Sequence, residues 1–175
     1  MCISSWEQYF NCHIFDAVTP ETLPDQGAVI PFAPKKFNGN IFSKTERACF
    51  YSHFNLWKKC FEENLPLIVV EHDVTLVREI PDRWFSEYKM ICLANALKSK
   101  GARLATLAGG AYYLTPQIAK MLVDGVTLGG PVDANSDAHI LDKCQKYGRE
   151  APEMADVTFH PNAGVTIEHN GRGLK

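Results

Sequence analysis

The chain has 175 residues, 46% of them hydrophobic and 22% charged, proportions that suit one globular domain and exclude a disordered or collagen-like chain. With 18 Lys and Arg against 20 Asp and Glu, the net charge of −2 offers no basic excess for sequence-independent binding to nucleic acid or anionic membrane. The longest apolar run, Leu65 to Val70, contains Pro66 and falls far short of the roughly 20 residues a spanning helix needs. The amino terminus lacks the basic-then-apolar layout of a signal peptide, so a soluble, cytoplasmic protein is expected.

In chain order, Cys12 to Val18 reads as a short strand. Thr19 to Asn40 carries Pro20, Pro24, Pro31, Pro34 and Gly39, a density that forbids a long helix and predicts an irregular surface crossing. The strongest helix follows. Ser43 and Glu46 have capping-box spacing, and Cys49/Phe50, His53/Phe54, Trp57 and Cys60/Phe61 recur at helical period, with Lys58, Lys59, Glu62 and Glu63 on other faces. Asn64-Leu65-Pro66 ends it. Leu67 to Val70 then reads as a strand buried on both faces.

Pro81 to Phe85 is expected to form a helical turn and Lys89 to Leu93 a strand. Leu104 to Leu107 and Ala111 to Leu114 are predicted strands on either side of Gly109-Gly110, which matches no phosphate-loop pattern. Thr115-Pro116 opens a helix carrying Ile118, Ala119, Met121 and Leu122, with Thr115 as cap. Gly129-Gly130-Pro131 breaks the chain, Asp133 to Tyr147 reads as a further helix, and the last 20 residues as short strand and loop. Strands alternating with helices give the α/β class.

Two places could carry chemistry. Glu71-His72-Asp73 directly follows the buried strand. If the chain stays extended there, Glu71 and Asp73 face one way and His72 the other. Two carboxylates at a strand end suit Mg²⁺ or Mn²⁺, and ligands of open α/β sheets gather at such ends; the alternative is that polar residues mark where the strand meets water. Asp133, in Pro131-Val132-Asp133, is either a helix N-cap or, with Asp137, a general base for an acceptor hydroxyl. Cys49 and His53, at i and i+4, could join a thiol to a base, but their apolar face favours a core pair. His160 and His169 could each complete a metal site and are more simply structural or exposed. The six cysteines show no C-x-x-C pair and read as reduced core thiols rather than disulfides or a zinc site.

Together these segments resemble glycosyltransferase family 25, the lipopolysaccharide-synthesis and procollagen galactosyltransferases. Ile14 to Val18 (IFDAV) resembles the family's early strand. Glu46 to Lys58 (ERACFYSHFNLWK) is similar to its E-x-G-C-x-x-S-H-x-x-x-W helix, and Asn64 to Val74 (NLPLIVVEHDV) to its N-x-P-x-x-x-x-E-D-D-V strand. Gly110 to Leu122 with Pro131-Val132-Asp133 resembles its G-x-x-Y block ending in P-(V/I)-D. The resemblance implies a GT-A-like, Rossmann-like mixed sheet flanked by helices, in one glycosyltransferase-like domain over residues 1–175. It also implies a UDP-sugar donor, a divalent metal (Mn²⁺ or Mg²⁺) and inverting transfer of a hexose, galactose or glucose, to a hydroxyl of a saccharide such as lipopolysaccharide. Carried over, Glu71 and Asp73 match the acidic metal motif, Asp133 the aspartate near the acceptor, and Ser52 and His53 the S-H pair of the donor site.

The chain departs from the family pattern twice. His72 replaces the middle acid of E-D-D, which removes one negative charge near the metal. Only 13 residues precede Ile14, and Ser4 to Phe10 resembles the tail of the family's first helix, so an amino-terminally shortened sheet lacking the family's first strand is expected. A sheet with a bare edge predicts a homo-oligomer. Two alternatives stand beside the enzyme reading: a degenerate glycosyltransferase-like binding protein, and a glycosyltransferase acting on modified DNA bases, which the net acidity disfavours.

Overall fold

The computed structural model describes residues 2–24, 30–36, 38–72, 74–76, 79–93, 110–133, 157–159 and 165–167. Its dominant helix, α2 (Lys44–Glu62), follows the short α1 (Cys2–Trp6), and both of its ends are written in the sequence. The Ser43 hydroxyl accepts the Glu46 N–H at 3.1 Å while a Glu46 carboxylate oxygen accepts the Ser43 N–H at 2.9 Å. At the other end Asn64 takes φ 52°, the Leu65 N–H donates to the Cys60 carbonyl and the Asn64 N–H to the Phe61 carbonyl. That pair of bonds is a Schellman closure, with asparagine in the left-handed position that glycine usually fills.

The strands are β1 (Leu67–Val70), β2 (Val74–Leu76), β3 (Met90–Cys92), β4 (Ala111–Leu114), β5 (Val157–Phe159) and β6 (Val165–Ile167); helices α3 (Arg83–Glu87) and α4 (Pro116–Thr127) lie between them. One mixed sheet runs in the order β1-β4-β3-β5, antiparallel at β1–β4 and β3–β4 and parallel at β3–β5; β2 pairs with β6 separately, antiparallel. Strand β4, all four residues buried, sits between β1 and β3.

Alternation along these strands divides the interior in two. Val69, Met90, Tyr112 and Leu114 join Phe50, Phe54 and Trp57 of α2 and Ile118 and Leu122 of α4 in one core. Ile91, Leu93, Ala111 and Tyr113 join Trp6, Val74, Leu76 and Ile80 in the other, with Ile68 and Val70 packed against it. β1 is thus covered on both faces, as its β-branched run predicts. Short α1 is stitched on by the Trp6 indole N–H to the Val74 carbonyl (3.0 Å) and the Leu76 N–H to the Ser5 hydroxyl (2.9 Å).

Three expectations change. Residues 12–18 form no strand: their backbone has no ladder, and Ile14 is 85% exposed. The apolar face of α2 is narrower than the periodicity suggests, since Cys49 is half-buried and Phe61 exposed. Thr115 does cap α4 with extended backbone before Pro116, but its hydroxyl makes no capping bond. The predicted strand 104–107 and helix 133–147 lie outside the described residues, apart from Asp133 itself. The turn after α4 admits only glycine at 129, because a Cβ there would meet the Gly125 carbonyl oxygen at 2.2 Å.

The proline-rich crossing is irregular and anchored. Phe32 bridges Val132 in parallel and packs edge-on against Phe42 and Phe50 at centroid distances of 5.1 and 5.6 Å. The Ala33 N–H donates to the Val132 carbonyl and the Val132 N–H to that of Pro31. The segment carrying Asp133 is therefore fixed against the aromatic face of α2.

Candidate functional site

The site is built where the carboxyl end of β1 passes under α2. The Glu71 N–H continues the β1–β4 ladder to the Gly110 carbonyl at 2.8 Å, and the Val74 N–H then donates to the Glu71 carbonyl at 3.2 Å. The second bond closes a turn that begins at Glu71 and includes His72. His72 is exposed at the turn. Asp73 lies outside the described residues, as do Asp137, His160 and His169.

Glu71 meets His53 of α2. His53 is 4% exposed, its Nε2 lies 3.3 Å from Glu71 Oε1, and its Nδ1 lies 2.8 Å from the Tyr112 hydroxyl of β4. The Trp57 indole N–H, one turn further along α2, donates to the same hydroxyl at 2.9 Å. Burial opposes charge on His53, but Tyr112, Cys49 and Glu71 outweigh it and hold the ring well above its usual pKa. The His53 hydrogen bond in turn holds the Glu71 carboxyl below its usual range, against its own burial. His53 thus joins the Glu71 carboxylate through Nε2 and the Tyr112 hydroxyl through Nδ1, and the same hydroxyl accepts the Trp57 N–H. Burial raises the Tyr112 pKa and keeps the phenol neutral.

Ser52, the neighbour of His53, works elsewhere. Its hydroxyl donates to the Ala48 carbonyl (2.9 Å) and accepts the Val18 N–H (2.9 Å), pinning the end of the irregular 11–18 segment to α2. Asp133 is exposed on the anchored 131–133 segment. Among the sequence-predicted residues, then, the structure joins His53 to Glu71, gives Ser52 a separate tether, and leaves Asp133 on its own segment.

The sequence reading missed Tyr112 and Trp57 as partners, having placed Trp57 on the apolar face of the helix and Tyr112 in the strand 111–114. It also missed that Cys49 lies with the pair: one ligating atom from each of Cys49, His53 and Glu71 falls within 4.8 Å of the others. The i, i+4 spacing of Cys49 and His53 was the available signal; the third member comes from another element. In contrast Cys60, whose thiol burial pushes up to about 11, is an inert core cysteine.

The sequence profile of glycosyltransferase family 25 (LPS biosynthesis protein) matches residues 5–100, more than half of the chain. A lipooligosaccharide biosynthesis protein, lic2B of Haemophilus influenzae, is 33% identical over 81 residues, 46% of this chain and 30% of that protein. The lacto-N-neotetraose biosynthesis glycosyltransferase LgtB of Neisseria meningitidis is 36% identical over 73 residues, 42% of this chain and 26% of that protein. LgtE of Neisseria gonorrhoeae, named for the same biosynthesis, is 34% identical over 73 residues. The matched stretch thus spans less than a third of the lic2B and LgtB proteins. No solved structure matches the chain significantly. Among the described residues no helix is long and apolar enough to cross a membrane.

Proposed function

The chain belongs to glycosyltransferase family 25, and from that premise we propose a GT-A-type glycosyltransferase that moves a hexose, galactose or glucose, from a UDP-sugar to a saccharide hydroxyl with inversion. The observation that carries the reading is the ionised, 38% exposed Glu71 carboxylate at the end of β1, held by a buried histidine, where ligands of α/β sheets gather. The lipooligosaccharide and lacto-N-neotetraose products named for the relatives supply the acceptor class.

Glu71 suits a hard divalent cation in charge and exposure. With Asp73 it would hold Mn²⁺ or Mg²⁺, which supplies neutralisation of the charge on the departing diphosphate. His53 aims the Glu71 carboxylate, and Ser52 fixes the backbone at Val18. Asp133 is the base: it takes the proton of the acceptor hydroxyl as that oxygen attacks the anomeric carbon, in line with the departing diphosphate oxygen.

Calorimetric titration with UDP, with and without Mn²⁺, tests the reading. Metal-dependent binding is expected, lost in Glu71→Gln and Asp73→Ala. Asp133→Asn should lower turnover and leave UDP binding unchanged. Equal binding with and without Mn²⁺, or none, overturns the donor assignment. A second reading, a glycosyltransferase-like binding protein without catalysis, draws on His72 standing where the family motif has an acid. Slow hydrolysis of a UDP-sugar by the purified protein counts against it.

A further inference from the structure

We propose that Cys49, His53 and Glu71 form a zinc site that clamps α2 to the end of β1; it shares Glu71 with the all-oxygen cation proposed for the transfer reaction and differs from it in its sulfur and nitrogen donors. The three donors converge from two elements, with every pair of ligating atoms within 4.8 Å. In a tetrahedral zinc site, metal–nitrogen and metal–oxygen bonds of about 2.0–2.2 Å set the two ligand atoms about 3.3–3.5 Å apart. His53 Nε2 and Glu71 Oε1 stand 3.3 Å apart, so that edge of the polyhedron needs little or no movement. The donor set is one sulfur, one nitrogen and one oxygen, which selects zinc over magnesium or manganese.

The surroundings fit as well. A ligating histidine needs its second ring N–H fixed by an outer partner. Here Nδ1 faces the Tyr112 hydroxyl at 2.8 Å, itself held by the Trp57 indole. Charge balances without a further group: with Zn²⁺ on Nε2 of a neutral His53 and the Cys49 thiol proton released to solvent, the thiolate and the Glu71 carboxylate cancel the charge of the ion. Half-buried Cys49 and 38% exposed Glu71 leave an entry path and a fourth position for water. A Cys-His catalytic arrangement fits less well, because the carboxylate takes Nε2 while Nδ1 is spent on Tyr112, leaving no ring nitrogen solely for the thiol.

The inference does not need the transfer reading, and its test reads a different signal. Cobalt(II) titrated into the wild-type protein is expected to give tetrahedral d–d bands and a thiolate-to-cobalt charge-transfer band, both displaced by zinc. Cys49→Ser should abolish the charge-transfer band and Cys12→Ser retain it. Glu71→Gln should weaken zinc binding by more than about tenfold, the least that loss of even an outer-sphere partner costs. Because a variant at Cys49 could fail to fold, mass-mapped alkylation of the wild-type protein supplies a second measurement: zinc should protect Cys49 from iodoacetamide. The absence of a charge-transfer band, a band that survives Cys49→Ser, or Cys49 alkylation unaffected by zinc each overturns the site, whatever UDP and Mn²⁺ do.

Discussion

Two buried ring nitrogens depend on one hydroxyl. The Trp57 indole N–H donates to the Tyr112 hydroxyl at 2.9 Å, and His53 Nδ1 shares a hydrogen bond with it at 2.8 Å. Tyr112→Phe removes that oxygen and no carbon, leaving two buried polar groups without their partner. At about 1–3 kcal/mol for each stranded group, the expected loss is about 3 kcal/mol in urea unfolding. A loss below about 1 kcal/mol would mean that water reaches the pair. The outer half of the same network sets a pH dependence. His53 has a raised pKa in the fold, so its contribution is complete below the unfolded value of about 6.5 and fades as pH rises through the folded one. Glu71 has a lowered pKa, so its contribution is complete above the unfolded value of about 4.3 and is lost as pH falls through the folded one. The pair therefore contributes most between about pH 4.3 and 6.5, and stability should decline towards alkaline pH. Solvent around the exposed side of Glu71 screens the pair and limits its share to about 1 kcal/mol. Glu71→Gln should flatten the alkaline slope of the urea midpoint; an unchanged slope would place the dependence elsewhere. His53, Trp57 and Glu71 are marked in the sequence and Tyr112 is not, and their meeting is not legible there because the partners are 18, 55 and 59 positions apart.

Helix α2 shows what local sequence can specify. Its start depends on two side chains three residues apart and its end on one left-handed residue, and both ends are where the sequence puts them. Ser43→Ala removes the side-chain half of the capping box and should cost about 1 kcal/mol. Asn64→Ala forces a Cβ without a compensating polar group into φ 52° and should cost about 1 kcal/mol, while Asn64→Gly should be neutral or stabilising. Thermal or urea unfolding of the three variants checks the ordering; Asn64→Ala as stable as Asn64→Gly would mean that the closure carries no strain. Residues 12–18 show the opposite case. Their apolar, β-branched character invites a strand, but a strand exists only through a partner's ladder. What holds this segment is the Val18 N–H on Ser52, 34 positions away. Strands β1, β3 and β4 were readable because their alternating residues find cores on both sides. That β4 lies between β1 and β3 was not, since pairing order is set by contacts across the chain.

At the scale of the molecule, the sheet separates two cores that share no buried side chain among the described residues. Leu122 of α4 belongs to the core under α2, and Ile80 to the core under α1; both are almost wholly buried. Truncating either to alanine removes a well-packed side chain and should cost about 2–5 kcal/mol, whereas Leu128→Ala, at an 81% exposed position, should stay within about 0.5 kcal/mol. The informative experiment is the double variant Leu122→Ala with Ile80→Ala. Side chains with no common partner change stability independently, so the two losses should add to within about 0.5 kcal/mol. The intervening layer is only β-sheet, however, and Tyr112 and Tyr113 are adjacent residues of β4 facing opposite cores. If collapse around one cavity tilts that strand, the second truncation will cost less than it does alone. Additivity would mean that β4 is a rigid partition, and the His53–Glu71 pair beneath α2 would then be insulated from changes on the α1 side. A shortfall greater than about 1 kcal/mol would mean that β4 transmits strain between the cores. The site at the end of β1 would then sense packing on both faces of the sheet.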